Sequence, residues 1–411
     1  MELESASRKS RATLLSRPSA RNGAALLHNG AAMESSLGCL LPLLARERAA
    51  GRPLALGVLV HTLGSTYRKP GALLLVAASG EYAGLLSGGC LEGDLGERAR
   101  EVIRTGEARL VTYDLRNPED LVWGLGLGCE GAMRILLLRV GPQERWEPLA
   151  RLAAALAAHA PAAVGLVTES ADPKRPVGSL ALPSPTGDWS LYPPPAAALP
   201  THALEPRAAE ALERARRTGS VATMEETAPP WRLFLLPLTL PPRLLLLGAG
   251  PDALPVVDFA VRLGWKVTLV DHRPAYAQAS HFPGAEAVVL ARPESLAQSL
   301  ELGGFAAAVV MSHHLPTDLE YLRMLAPSRA GFIGLLGPPA RREKLLADLG
   351  PAAQSLRGRL HAPVGLDLGG RAPESIALSI VAELHRYFFT RGAPRSRDSS
   401  ERVPSAEPVR E

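Results

Sequence analysis

Only three cysteines, Cys39, Cys90 and Cys129, occur in the 411 residues, too few for the disulfide framework of a small secreted domain. No two of them form a C-x-x-C pair, which argues against a structural zinc site. Aromatic residues make up 5% of the chain, so Leu, Ala and Val must fill the interior, and an apolar content of 46% is ample for that. No apolar run approaches the ~18–20 residues of a membrane-spanning helix. The formal charge is only +4, and no clustered basic face with interleaved aromatics offers itself to nucleic acid. An H-E-x-x-H pair, a Walker loop and a nucleophile–base–acid set are also missing. These absences lead to the expectation of a soluble, cytoplasmic protein that holds ligands in loops rather than running a catalytic machine.

What is present centres on residues 243–273. The apolar run Leu244–Leu247 reads as a buried parallel strand. Gly248 and Gly250 open a turn, with Ala253 in the third small position of a G-x-G-x-x-G/A fingerprint. A helix follows, then a strand from Lys266 that ends on Asp271, about twenty residues past Gly250, the offset at which an acid meets a ribose hydroxyl. Gly248 permits the tight turn, Gly250 lets backbone approach a phosphate, and the helix N-terminus offers N–H groups to an anion. Pro255 suits only the first turn of that helix. The α/β rhythm then continues. A strand over 306–311 leads into Ser312-His313-His314-Leu315-Pro316-Thr317-Asp318, polar groups at a carboxyl strand end where open α/β sheets bind ligands. His313 and His314 are neighbours that point apart in extended chain, so no metal site is expected.

The earlier half carries three glycine-rich loops. A leading helix over 36–49, with Leu37, Leu40, Leu41 and Leu44 inward, precedes a strand over 54–63. That strand runs into Gly64-Ser65-Thr66-Tyr67-Arg68-Lys69-Pro70-Gly71, where hydroxyls and cations suit an oxyanion; an ordinary hairpin-like loop is the competing reading. Next comes Ser87-Gly88-Gly89-Cys90-Leu91-Glu92. It opens a helix whose N-terminus favours the Cys90 thiolate, while Glu92 and Asp94 oppose it. The third loop, Trp123 to Gly131, includes Gly128 and Cys129 and has glycine at alternate places. That spacing weakens a strand and suits backbone wrapped closely around a ligand. Residues 133–140 are expected to close the first sheet, 183–206 to be irregular, and 231–238 to pair into that same sheet. Pro237, Pro241 and Pro242 mark a linker. The expected organisation is a disordered extension over 1–33, with Met33 as a candidate true start, then an N-terminal α/β domain over 34–240. A Rossmann-like, doubly wound parallel-sheet domain over 241–391 and a disordered tail over 392–411 complete it.

With these loops, the 248–271 fingerprint and Pro363-Val364-Gly365-Leu366-Asp367-Leu368-Gly369 followed by Pro373-Glu374-Ser375-Ile376-Ala377, the chain resembles the xanthine dehydrogenase accessory factor family (XdhC/CoxI type). The resemblance runs from about residue 36 to 391. It implies a maturation chaperone, not a turnover enzyme. Such a chaperone binds molybdenum cofactor, passes it to a molybdenum hydroxylase of the xanthine dehydrogenase type, and meets a cysteine desulfurase. On that reading Gly248, Gly250 and the following helix hold the phosphates of molybdopterin or its dinucleotide form, with Asp271 on a ribose. Gly64, Ser65, Arg68, Gly71, Ser87, Gly88, Gly89, Glu92 and Gly128 wrap the pterin or the oxo-molybdenum end, and Cys90 or Cys129 touches molybdenum or sulfur. His313 and Asp318 face the nucleotide side. For the cysteines, burial as small hydrophobes is an equal alternative. Glu130, and Pro338 and Pro339 after Gly337, depart from the family's pattern. The rival class is an NAD(P)-dependent oxidoreductase using the same fingerprint, and the apolar helix over 373–389 suggests a homodimer.

Overall fold

The computed structural model describes residues 13–15, 36–89, 91–114, 131–197, 199–227 and 229–390. Two compact units divide between Pro241 and Pro242. Within the stretch expected to be a disordered extension, Thr13–Leu15 form strand β1, which belongs with the second unit and pairs antiparallel with Val288–Leu290.

The N-terminal unit begins with helix α1 (Ser36–Ala49), then β2 (Leu54–Gly64), β3 (Leu73–Ala77), β4 (Tyr82–Gly84), α2 (Glu92–Thr105), β5 (Arg109–Asp114) and β6 (Gly131–Val140). These strands form an antiparallel sheet in the order β4-β3-β2-β6-β5. β6 therefore lies inside the sheet and β5 at its edge, instead of β6 closing it. β2 is buried on both faces, as seven successive buried residues require. Ala55 and Leu59 pack with Leu91, Leu95, Ala99 and Val102 of the α2 side. Leu54, Leu56, Val58 and Val60 face the other way, toward Leu37, Leu40, Leu43 and Leu44 of α1. Leu43, not Leu41, completes the inward stripe of that helix.

A second antiparallel sheet follows helix α3 (Leu149–Ala157). It contains β7 (Ala163–Ser170), β8 (Leu180–Pro183), β9 (Trp189–Tyr192) and β10 (His202–Ala203), then, after helix α4 (Pro206–Thr218), β11 (Ala222–Thr227) and β12 (Pro230–Pro237). Its order is β10-β9-β8-β7-β12-β11. Residues 231–238 thus pair with β7 and β11 in a sheet of their own, and the stretch expected to be irregular holds two short strands. Val164, Leu166, Phe234 and Leu236 join the core shared with β2 and β6. Val167, Leu233 and Leu235 bury against Ala208, Ala211 and Leu212 of α4. Alternation along each strand is what lets one sheet serve two cores.

The C-terminal unit contains β13 (Arg243–Leu247), α5 (Ala253–Arg262), β14 (Lys266–Asp271), β15 (Ala287–Leu290), α6 (Leu296–Ser299), β16 (Ala307–Val310), α7 (Leu315–Leu325), β17 (Phe332–Leu335), α8 (Pro339–Leu349), β18 (Leu360–His361) and α9 (Pro373–Thr390). The sheet order is β1-β15-β14-β13-β16-β17-β18, parallel apart from β1. Counting from β13, the six parallel strands run 3-2-1-4-5-6, the doubly wound order with its switch point between β13 and β16. Leu244 and Leu246 bury against Val256, Val257, Ile380 and Leu384 of α5 and α9. Leu245 and Leu247 bury against Tyr321, Leu322 and Leu345 of α7 and α8. Helices on both faces explain why this strand reads as an unbroken apolar run. Pro255 falls in the first turn of α5, where its missing N–H leaves no helical bond unmade.

Candidate functional site

In the N-terminal unit, β2 and β6 end in register, Gly64 opposite Gly131. A Cβ on Gly131 would sit 2.3 Å from the carbonyl oxygen of Ser65 and 2.7 Å from the Thr66 methyl, so only glycine lets the strand start there. The 64–71 loop is closed by Gly71 N–H donating to the Leu59 carbonyl (2.8 Å) and by the Thr66 hydroxyl donating to the Arg68 carbonyl (2.9 Å). Arg68 is half-buried. It lies near enough to Cys39 of α1 to draw the thiol's pKa down, while burial, the larger effect, raises it. Tyr67, 57% exposed, has its ring 3.6 Å from where a Cβ of Gly88 would be. The first loop, the Ser87–Glu92 loop and the end of the third loop therefore gather at one end of the five-stranded sheet. Cys90, Gly128, Cys129 and Glu130 lie outside the described residues.

Glu92 holds the middle loop together. Its carboxylate is buried and accepts the N–H groups of Leu86 (3.2 Å), Ser87 (3.0 Å), Gly89 (3.1 Å) and Leu91 (3.2 Å), together with the Ser87 hydroxyl. Burial alone would raise its pKa, but the Ser87 hydroxyl and the backbone N–H donors outweigh it and hold the group below the usual glutamate value. Both oxygens are engaged, so Glu92 shapes the loop and takes the place an external anion would want. What the loop can offer a ligand is the outward side of Gly88 and Gly89.

In the C-terminal unit, the loops after β13 and β16 meet at the switch point. A Cβ on Gly248, whose φ is +125°, would lie 2.5 Å from the Met311 carbonyl oxygen. This glycine is therefore demanded by the fold whether or not a phosphate binds. Gly250 has a different neighbour: its Cβ would meet only the carboxylate end of Asp252, at 2.6 Å. Asp252 stands at the N-cap position of α5 and pairs with His313 Nε2 at 2.7 Å, joining the two loops across the crevice. His313 adopts a left-handed φ of +60°.

Asp271 is 1% exposed and is fully engaged within the fold. It accepts the Ala249 N–H (2.9 Å), the Arg273 N–H (2.9 Å) and two bonds from the Arg273 guanidinium (2.9 and 2.8 Å). Burial pushes its pKa up, but Arg273 and these N–H groups more than reverse that. A ribose hydroxyl would have to displace Arg273, which also stacks 4.0 Å over the Tyr276 ring. Asp318 is fully buried; it accepts the Ser312 hydroxyl and a forked pair from Arg341, one limb at 3.1 Å. Neither aspartate has the free carboxylate that sequence spacing suggests. Pro338 and Pro339 form the cap and first residue of α8, so two N–H donors are absent from that helix start. Further along, Glu383 accepts the Gly365 N–H at 2.7 Å and pairs with His361 at 2.8 Å. The Pro363–Gly369 signature is thereby clamped to α9.

Tyr321, on α7, is fully buried with its hydroxyl unpartnered among the described residues. Burial first, then the charges of Asp271 and Asp318, raise its pKa. Tyr321→Phe should leave stability unchanged or raise it by up to about 1 kcal/mol, since a buried hydroxyl without a partner costs desolvation. A fall of the unfolding midpoint in urea would show that the hydroxyl has a structural partner.

Sequence reasoning missed Asp252, Arg341 and Tyr321. Only Arg273 stood close enough in the chain, two residues after Asp271, to signal its role. Among the described residues no group of three His, Cys, Asp or Glu is placed to hold a metal, and no helix is long and apolar enough to cross a membrane.

Residues 244–384 match the XdhC Rossmann domain, and residues 47–114 match the XdhC and CoxI family. The chain is 32% identical over 329 residues to a probable xanthine dehydrogenase subunit of Bacillus subtilis (strain 168), covering 80% of this chain and 91% of that protein. It is 24% identical to the molybdenum cofactor insertion chaperone PaoD of Escherichia coli (strain K12), over 82% of this chain and 83% of the relative. A solved structure described as a xanthine dehydrogenase from Bacillus halodurans superposes with a TM-score of 0.66 at 30% identity. It covers 88% of this chain and 97% of its own. Motif, fold and relatives agree, and the chain belongs to the XdhC and CoxI family.

Proposed function

We propose that the protein binds molybdenum cofactor as cargo and inserts it into a molybdenum hydroxylase of the xanthine dehydrogenase type, without turnover of its own. The observation that carries this reading is the gathering of the first two glycine-rich loops and Gly131 at one end of the five-stranded sheet. Close backbone approach at Gly131 and the Glu92-braced turn give a preformed rim, and Arg68 and Lys69 supply positive charge for an anionic cargo. The name of the Escherichia coli relative supports the cargo, and that of the Bacillus subtilis relative supports the client class. Release requires a rim that holds anions by surface cations rather than by buried ligands, and exposed Lys69 with half-buried Arg68 suits that. The switch-point crevice is a second place for phosphate, through the start of α5, with Asp271 left in its internal bonds.

The test is retention. Anaerobically purified protein is incubated with molybdenum cofactor, freed of unbound ligand by gel filtration and oxidised to the fluorescent pterin. About one pterin per chain is the expected yield. Arg68→Ala should lower retention at least fivefold while stability changes by less than about 1 kcal/mol, as for a substitution outside the core. No retained pterin, with NAD(H) binding seen by calorimetry instead, would move the protein to the NAD(P)-dependent oxidoreductase class.

A further inference from the structure

Tyr67 projects from the 64–71 loop and, at 57%, is the most exposed large apolar side chain among the described residues. An exposed aromatic ring means little by itself, but this one has a built support. A Cβ on Gly88 would lie 3.6, 3.7 and 3.8 Å from three consecutive ring atoms, Cδ2, Cγ and Cε2. Nearly equal distances put Gly88 over the face of the ring, because an approach along the edge would leave the outer two atoms much farther off than the middle one. One face is therefore covered by the Ser87–Glu92 loop. The exposure belongs to the opposite face and to the hydroxyl end.

Both loops under the ring are braced from within. Glu92 gathers the N–H groups of Leu86, Ser87, Gly89 and Leu91. The Thr66 hydroxyl closes the other loop on the Arg68 carbonyl, with Tyr67 held between them. Gly88 and Gly89 have left-handed φ values of +81° and +109°, and nothing lies within 4 Å of where a Cβ on Gly89 would be. Residues at such φ are glycine by preference, so the ground beside the ring stays clear of side chains. The Tyr67 hydroxyl takes no hydrogen bond among the described residues. Shape alone presents the ring.

A ring covered on one face and bare on the other suits a flat ligand that stacks. The next two residues, half-buried Arg68 and exposed Lys69, add charge for an anionic end of the same ligand. We propose that Tyr67 is the shelf on which the planar ring system of the cargo stacks, fixing its orientation in the rim while Arg68 and Lys69 take the anionic end. This role rests on the carrier reading of the same rim and adds to it the residue that orients the cargo. The stacking face is open to solvent, so a cargo lying on it can leave without a buried site having to open. Contact with another protein is the competing role for an exposed tyrosine, and retention measured without a client separates the two.

The full chain is loaded anaerobically with molybdenum cofactor, with no client present, and the half-time of cofactor loss is followed as fluorescent pterin. Tyr67→Ala and Tyr67→Leu should each shorten it about tenfold, the loss expected of one aromatic stack. Tyr67→Phe should stay within about twofold of the parent, since the ring and not the hydroxyl does the stacking. The ratio of parent to Tyr67→Ala should be the same at low and high salt, whereas the ratio of parent to Arg68→Ala should shrink as salt screens the charge. Tyr67→Trp adds one tryptophan to the five of the chain, and its added emission should be quenched when cofactor binds. Melting temperatures should match the parent in all five variants. Undiminished retention in Tyr67→Ala and Tyr67→Leu overturns the inference and leaves the carrier reading standing. A loss in Tyr67→Phe as large as in Tyr67→Ala, or added emission indifferent to bound cofactor, does the same. A parent that retains no cofactor removes both.

Discussion

Gly248→Ala should destabilise the C-terminal unit by about 3–5 kcal/mol, in the range of severe overpacking combined with backbone strain. The added Cβ would lie 2.5 Å from the Met311 carbonyl oxygen, 2.6 Å from its carbon and 2.8 Å from the Ser312 nitrogen. All three are backbone atoms of the segment leaving β16, tied back by Met311 N–H donating to the Leu247 carbonyl at 2.9 Å. Relief would have to part β13 from β16 at the switch point. Gly250→Ala is the control. Its Cβ would meet only the Asp252 carboxylate, which can rotate away at the expense of an exposed pair with His313, so a loss below about 1 kcal/mol is expected. Amide hydrogen exchange in β13 and β16 reads both variants directly. Equal protection in Gly248→Ala and the parent would sink the argument that this glycine is demanded by the fold.

Glu92→Ala should cost about 3–5 kcal/mol, because the buried N–H groups of Leu86 and Ser87 and the Ser87 hydroxyl lose their acceptor at once, and the Leu91 N–H keeps only the Ser87 Oγ at 2.9 Å. Glu92→Gln should recover part of that, since an amide carbonyl replaces one oxygen while its NH₂ faces donors. The pH dependence has a definite sign. The folded pKa of Glu92 lies below its usual 4.5, so its contribution is complete above the unfolded value and is lost as pH falls through the folded one. Below about pH 4.5 the parent should therefore lose stability more steeply than Glu92→Gln in urea titrations, and the two curves should converge in acid. Parallel curves would mean that Glu92 does not brace the loop.

The C-terminal unit was the more legible half. Leu244–Leu247, the glycine turn and the strand ending at Asp271 form one local pattern, because a doubly covered parallel strand must be apolar throughout. The N-terminal unit was read less well at the level of sheets. Met133–Val140 and Trp231–Pro237 look alike as apolar runs, yet one sits inside the five-stranded sheet and the other in the six-stranded sheet. Which strand pairs with which depends on contacts far apart in sequence, and a run of leucines carries no address.

The same divide separates the site residues. From sequence alone came the family, the doubly wound sheet, the three glycine loops and the acid at the end of β14. Those are set by local rules: strand period, turn chemistry and the spacing of small residues. Tertiary structure alone decided what the acids do. Asp271 turns inward to Ala249 and Arg273, Asp318 to Ser312 and Arg341, and Glu92 to its own loop. A carboxylate near unpaired N–H groups or a guanidinium is pulled into them when water is excluded, and the chain brings those partners from up to 23 residues away.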